Sequence, residues 1–186
     1  SMNPRRQPWP PGQAGVQALL PWTGEATPRE EFDYAMLIGD LVWLTQTIKS
    51  IVWAVHALAQ HICKPGPAHV RAAMHLLRFV KHCRDTKLTC DASEAALTVG
   101  WDRRHKLIFA FDASLRTPGT RATTGVNGMI NGLTFFTMCR RQNSLSANST
   151  EAETKASAAA AEAAKGFMDT LAELPGGVHQ SVPVVA

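Results

Sequence analysis

Thr124-Gly125-Val126-Asn127-Gly128-Met129-Ile130-Asn131-Gly132-Leu133-Thr134-Phe135-Phe136-Thr137-Met138 is the stretch on which the fold turns. Asn-Gly favours a two-residue hairpin turn, because both central residues of that turn need positive φ. Residues 124–130 and 133–138 flank it and are rich in β-branched and aromatic side chains, so two antiparallel strands are predicted. Upstream, Leu107-Ile108-Phe109-Ala110-Phe111 is a short apolar run suited to a buried strand. Residues 96–99 read as another, joined to it by a turn at Gly100-Trp101-Asp102. Three antiparallel strands are therefore expected within about 96–138, with a polar loop at 113–123. The alternative makes 106–111 itself the first strand of the sheet.

Beyond the hairpin, 139–148 reads as a polar connection. Asn148 is placed to cap a helix, with Glu151 three residues on in a capping-box-like arrangement. The alanine-rich run 156–164 has high helix propensity. Leu174-Pro175-Gly176-Gly177 should stop that helix, and 182–186 reads as a final short strand.

The first half reads differently. Apolar residues recur at three- and four-residue steps from Tyr34 to Leu58, which predicts helix between about 30 and 63. The joint at 45–50 fits either a turn or a continuous helix. Lys64-Pro65-Gly66-Pro67 ends this region. A further helix is predicted over 68–84, with Val70, Ala73, Met74, Leu77 and Val80 as its apolar face. Arg71, His75, Arg78 and His82 align along another side and could follow a phosphate backbone. A solvated helix face is the plain alternative. Residues 1–29, with six prolines, read as a disordered or extended arm. Trp43 and Trp53 read as core residues rather than stacking platforms.

The 186 residues suit one ordinary domain, or a small domain with an appendage. No apolar run reaches the roughly 20 residues of a membrane span, and 1–30 lacks the apolar core of a signal peptide. An intracellular, membrane-free protein is expected. The net charge of +4 is uneven: 151–186 carries five acidic and two basic residues, so the first 150 carry +7. A basic body suits a polyanionic partner. Cys63, Cys83, Cys90 and Cys139 fit no metal-site spacing and read as reduced thiols. A zinc site of His61, Cys63, His82 and Cys83 is a remote alternative.

Asp112 closes the apolar strand and Glu151 opens the helix. If that helix packs on the sheet, both carboxylates can lie at one edge. Clustered carboxylates hold Mg²⁺ or Mn²⁺, since hard cations take oxygen ligands. Two such ions can activate water and stabilise the leaving oxygen in phosphodiester cleavage. Taken singly, however, an Asp at a strand end is often a turn former, and a Glu in a first helical turn is often a cap. Arg140 and Arg141, just before the helix, are candidate phosphate contacts.

The words around these residues carry more. FAFDAS at 109–114, RATTG at 121–125, GLTFF at 132–136 and NSTEAE at 148–153 occur in that order before an alanine-rich helix. This set resembles the ribonuclease H domain of copia-type LTR retrotransposon Pol polyproteins, where S-D-A-D, R-K-S-T-S-G and S-S-T-E-A-E-Y occupy those places. YAMLIGDLVWLT at 34–45, Ala54-Val55 and HVRAAMHLLRFVKHCRDT at 69–86 are similar to the segment that precedes that domain in the family. The resemblance covers roughly 30–186.

Several positions depart from the family pattern. Ser114 stands for the second acid of D-A-D, Thr154 for the Tyr after STEAE, and 47–51 for the T-R-P-D-I turn. The hairpin's tryptophan is replaced, and the polymerase Y-x-D-D motif is absent from the sequence.

The resemblance implies that Asp112 and Glu151 are metal ligands and catalytic residues, with two Mg²⁺ (or Mn²⁺) ions in the complete domain. Glu153, the motif's second acid, reads as a solvated helix acid. The family's third carboxylate, the Asp of C-D-N, would follow 182–186 directly, so the domain is expected to be incomplete and inactive alone. The implied partners are an RNA–DNA hybrid or other nucleic acid and the rest of a Pol polyprotein. The implied place is the cytoplasm, the nucleus or a retroelement particle.

The expected fold is α+β. Residues 1–29 form an arm and 30–90 a helical connection segment. Residues 91–186 form a truncated ribonuclease H-like domain: a three-strand antiparallel meander, a helix, and a fourth strand that in this family runs parallel to the first. An inactive nucleic-acid-binding or interaction module derived from such an element is the alternative function.

Overall fold

A computed structural model of the chain describes residues 6–84, 107–115, 121–130, 133–173 and 184–185. The expected strand at 96–99, its turn at 100–102 and the Asn131-Gly132 pair lie outside these. The chain divides into two compact units, Ser1–Lys87 and Leu88–Ala186.

The first unit contains α1 (Gly12–Gln17), α2 (Tyr34–Leu44), a 3₁₀ turn (Lys49–Ile51), α3 (Val52–Ala59) and α4 (Pro67–Cys83). Asp33 caps α2 by accepting from the Met36 N–H at 3.0 Å. The chain turns over residues 45–48 and does not continue as helix, which decides the open question at that joint. Ile38, Leu41, Ile51, Leu58 and Leu76 fill the core and are at most 1% exposed. Tyr34 Oη donates to the Leu58 carbonyl at 2.9 Å, tying the start of α2 to the end of α3. Burial pushes the Tyr34 phenol well above its ordinary pKa.

α4 begins at Pro67, where a missing N–H costs nothing. Its buried face is His69, Ala72, Ala73, Leu76 and Phe79. The expected face centred on Val70 and Met74 is thus rotated. The cause is His69: its Nδ1 accepts from the Gly66 N–H and its Nε2 donates to the Leu20 carbonyl, both at 2.9 Å. These bonds turn the polar ring inward.

The expected arm is corrected for residues 6–29, which pack on the helices. Trp9 meets Trp53 edge-on with ring centroids 5.0 Å apart. Ala18 is fully buried. The Thr27 N–H donates to the Pro65 carbonyl at 2.8 Å. Trp22 lies so close over Gly66 that a Cβ there would sit 2.4 Å from its Cγ. Prolines lower the entropy lost on ordering, and the tryptophans supply apolar area to bury. Trp43 is also corrected: it is 73% exposed, and Trp53 43%.

The second unit is a four-stranded sheet ordered β3-β2-β1-β4, with α5 against it. Its strands are β1 (Leu107–Ser114), β2 (Thr123–Ile130), β3 (Leu133–Arg141) and β4 (Val184–Val185), and α5 is Ser149–Ala172. β1, β2 and β3 form an antiparallel meander. β4 pairs parallel with β1, Phe109 opposite Val184. Ile130 pairs directly with Leu133, the register a two-residue connection requires. An α+β fold with an antiparallel three-strand sheet is therefore present, and β1 is the apolar run at 107–111 extended to Ser114.

Strand alternation gives β1 two faces. Leu107, Phe109 and Phe111 join Val126, Ala160 and Ala164 in the core between sheet and helix. Ala152, Ala156, Ala160 and Ala164, each at most 5% exposed, recur every fourth residue along α5. These small side chains let the helix backbone come close to the sheet, and phenylalanines fill the space. The β2–β3 ladder shifts register between Gly128 and Met129, opposite Phe136 and Thr134, leaving Phe135 as an extra residue. The bulge puts both rings on the core side: Phe135 and Phe136 lie 5.9 and 6.0 Å from Phe109. Gly128 is the residue beneath them, and a Cβ there would meet Phe109 and Phe135 at 3.0 Å.

Candidate metal centre and nucleic-acid interface

Asp112 does not end β1; it lies within it, opposite Gly125. It is exposed, and its Oδ1 accepts from the Ala113 N–H at 2.8 Å. Phe111 packs toward α5, so alternation turns Asp112 to the other face of the strand.

Glu151 stands in the first turn of α5. Its own N–H is capped by Asn148 Oδ1 at 2.8 Å, as the sequence predicts. Its Oε2 accepts from the Ala147 N–H at 2.7 Å, and Lys155 Nζ lies 2.6 Å from its Oε1. Lys155 first, then the Ala147 N–H, holds the carboxyl below the usual carboxylate range.

Both residues lie at one end of the sheet. Thr124, the neighbour of Asp112's partner Gly125, is tied through Gln142 to Ala152, the neighbour of Glu151. Their carboxylates nevertheless have separate partners among the described residues. Asp112 is turned from the face that α5 covers, and both Glu151 oxygens are engaged. No group of three or more His, Cys, Asp or Glu side chains that could hold a metal forms among the described residues. That includes the set His61, Cys63, His82 and Cys83. Cys63, Cys83 and Cys139 form no disulfide, and burial raises the Cys139 thiol to about 11.

The basic residues are dispersed. Arg140 and Arg141 are exposed, and both belong to β3 rather than to the connection before α5. Arg140 pairs with Thr124 and Arg141 with Thr123, so they lie on opposite faces, Arg141 on the face of Asp112. On α4, Arg71 and His82 are exposed. His75 Nε2 bonds the Gln7 carbonyl at 2.9 Å. Arg78 Nε is buried without a hydrogen-bond partner among the described residues.

Gln142, which by sequence belongs to the polar stretch of candidate phosphate contacts beside Arg140 and Arg141, is bonded internally. It is 7% exposed, and its Nε2 donates to Thr124 Oγ1 at 3.0 Å and to the Ala152 carbonyl at 2.8 Å. Ser146, fully buried, donates to Gln142 Oε1 at 2.9 Å, and Lys155 Nζ reaches Ser146 Oγ at 3.2 Å. This polar network seats the start of α5 on β2. No local signal separates Gln142 and Ser146 from a solvated polar connection.

No protein-family model, curated protein or solved structure matches the chain. No helix among the described residues is long and apolar enough to cross a membrane.

Proposed function

We propose that the second unit is a ribonuclease H-like domain of the copia retrotransposon type. As part of a Pol polyprotein it would cleave the RNA strand of RNA–DNA hybrids by hydrolysis with two Mg²⁺ ions. The observation that carries this reading is the sheet order β3-β2-β1-β4, with β4 parallel to β1 and the NSTEAE segment starting the helix on that sheet. The ordered motifs supply the rest. Asp112 and Glu151 are the residues assigned to metal binding, Glu151 after release from Lys155.

A second reading is favoured by the engaged Glu151 and the averted Asp112: the chain binds nucleic acid without cutting it. Arg71, His75, Arg78 and His82 on one unit, and Arg140 and Arg141 on the other, are its candidate contacts.

One experiment separates the two. The full chain is incubated with a labelled RNA–DNA hybrid in Mg²⁺, and binding of the same hybrid is titrated in EDTA at several salt concentrations. Cleavage lost in Asp112→Asn and Glu151→Gln supports the first reading and overturns the expectation that the chain is inactive alone. Binding that weakens steeply with salt, without cleavage, supports the second. Neither cleavage nor salt-dependent binding overturns both.

A further inference from the structure

We propose that the groove between residues 10–14 and α4 binds a nucleoside monophosphate unit, free or at the end of a strand, with its phosphate on Arg78. The groove encloses about 440 Å³ and is lined by Pro10 and Ala14 on one side and by Val70, Arg71, Met74 and Arg78 among others on α4. That volume is in the range of small-molecule sites.

Three observations point to such a ligand. First, Arg78 Nε is buried and has no hydrogen-bond partner among the described residues. A buried N–H of a cation without an acceptor is rare, because nothing replaces its lost hydration. A phosphate oxygen supplies that acceptor, and the guanidinium fork can take it with two bonds. No carboxylate is among the described residues that line the groove.

Second, Arg71 and Arg78 are two helical turns apart, about 10 Å along the axis. A single phosphate does not span that distance, whereas a nucleotide does. Its base would lie over Val70 and Met74 with the Arg71 guanidinium able to stack on it.

Third, the opposite wall is fixed to α4. His75 Nε2 donates to the Gln7 carbonyl at 2.9 Å, so His75 holds the rim and its Nε2 is not left for the ligand.

The inference deepens the nucleic-acid-binding reading of α4 and rests on it for the ligand's class. Its test needs no hybrid. ¹⁵N NMR of the arginine Nε–H signals follows titration of the full chain with adenosine 5′-monophosphate, then with inorganic phosphate. The Arg78 signal is expected to move saturably with the nucleotide, and at higher concentration with phosphate. Arg78→Lys, which lacks Nε, should weaken nucleotide binding about tenfold, as followed by the Arg71 signal. Ala14→Phe should block it while leaving every charge in place.

An oligonucleotide with a 5′-phosphate competing better than its 5′-hydroxyl counterpart assigns the site to strand ends. Equal weak competition by both assigns it to free nucleotide. An Arg78 signal that does not respond to the nucleotide, or a response unchanged in Ala14→Phe, overturns the proposal. Nucleotide binding without hybrid binding would keep this site and remove only the wider reading.

Discussion

Gln142 Nε2 donates to the Ala152 carbonyl at 2.8 Å while also donating to Thr124 Oγ1, so one amide joins β2 to the first turn of α5. Gln142→Leu has similar bulk but offers neither donor and leaves Ser146 without its acceptor. Buried groups stripped of partners cost roughly 1–3 kcal/mol each. The variant should therefore lower the urea-unfolding stability of the second unit by about 2–3 kcal/mol, against about 1 kcal/mol for Ser146→Ala.

The Lys155–Glu151 contact predicts a titration. Glu151 is held below its ordinary value, chiefly by Lys155. A depressed carboxylate contributes stability above its unfolded pKa, and that contribution is lost as the pH falls through the native value. Carboxyl ¹³C NMR should find the Glu151 midpoint below 4.5, the ordinary value, and Lys155→Ala should move it upward. The shift should stop short of the ordinary value, since the Ala147 N–H still donates.

His69 predicts the opposite pH side. Burial holds its pKa below the ordinary 6.5, outweighing the Leu20 bond. The native state favours the neutral ring, whose Nδ1 accepts from Gly66, so stability is full above the unfolded pKa. It falls as the pH drops below about 6.5 toward the lowered native value. Protonation also puts charge against the His61 ring, stacked 3.9 Å away. Denaturant midpoints followed by tryptophan fluorescence between about pH 5 and 8 should slope in the wild type and flatten in His69→Gln. An unchanged slope would remove His69 from the account.

Gly128→Ala tests the packing beneath the phenyl rings. The added methyl would meet Phe109 and Phe135 at 3.0 Å. Overpacking of this kind costs about 1–3 kcal/mol, and the thermal midpoint of the second unit should fall accordingly. Phe109→Ala, at a position 1% exposed, should cost about 3–5 kcal/mol.

The strands and α5 were legible because each shows a local signal: apolar runs, a turn pair, and a capping Asn148 ahead of alanines. The parallel pairing of β4 with β1 has no local signal, because pairing direction is set by the connection and not by the strand's own residues. The packing of Trp9, Ala18 and Trp22 was not legible, because a proline-rich composition reads the same whether or not a partner surface awaits it. The α4 face was misjudged because His69 counts as polar in any pattern, yet its two ring nitrogens are both bonded and it buries. For the site, sequence named Asp112 and Glu151 and brought them to one end of the sheet. What the expectation of one shared edge leaves out is alternation, by which the apolar Phe109 and Phe111 turn Asp112 away from the core face.

The extra residue at Phe135 makes the hairpin sensitive to length rather than to composition. Exchanging one aromatic for another in β3 leaves the ladder in step. Removing the extra residue would make the ladder regular and take one of the two rings off Phe109, while a further insertion before Thr137 would leave two residues unpaired there. Viable descendants of this gene should therefore vary freely in spelling here while keeping the residue count constant.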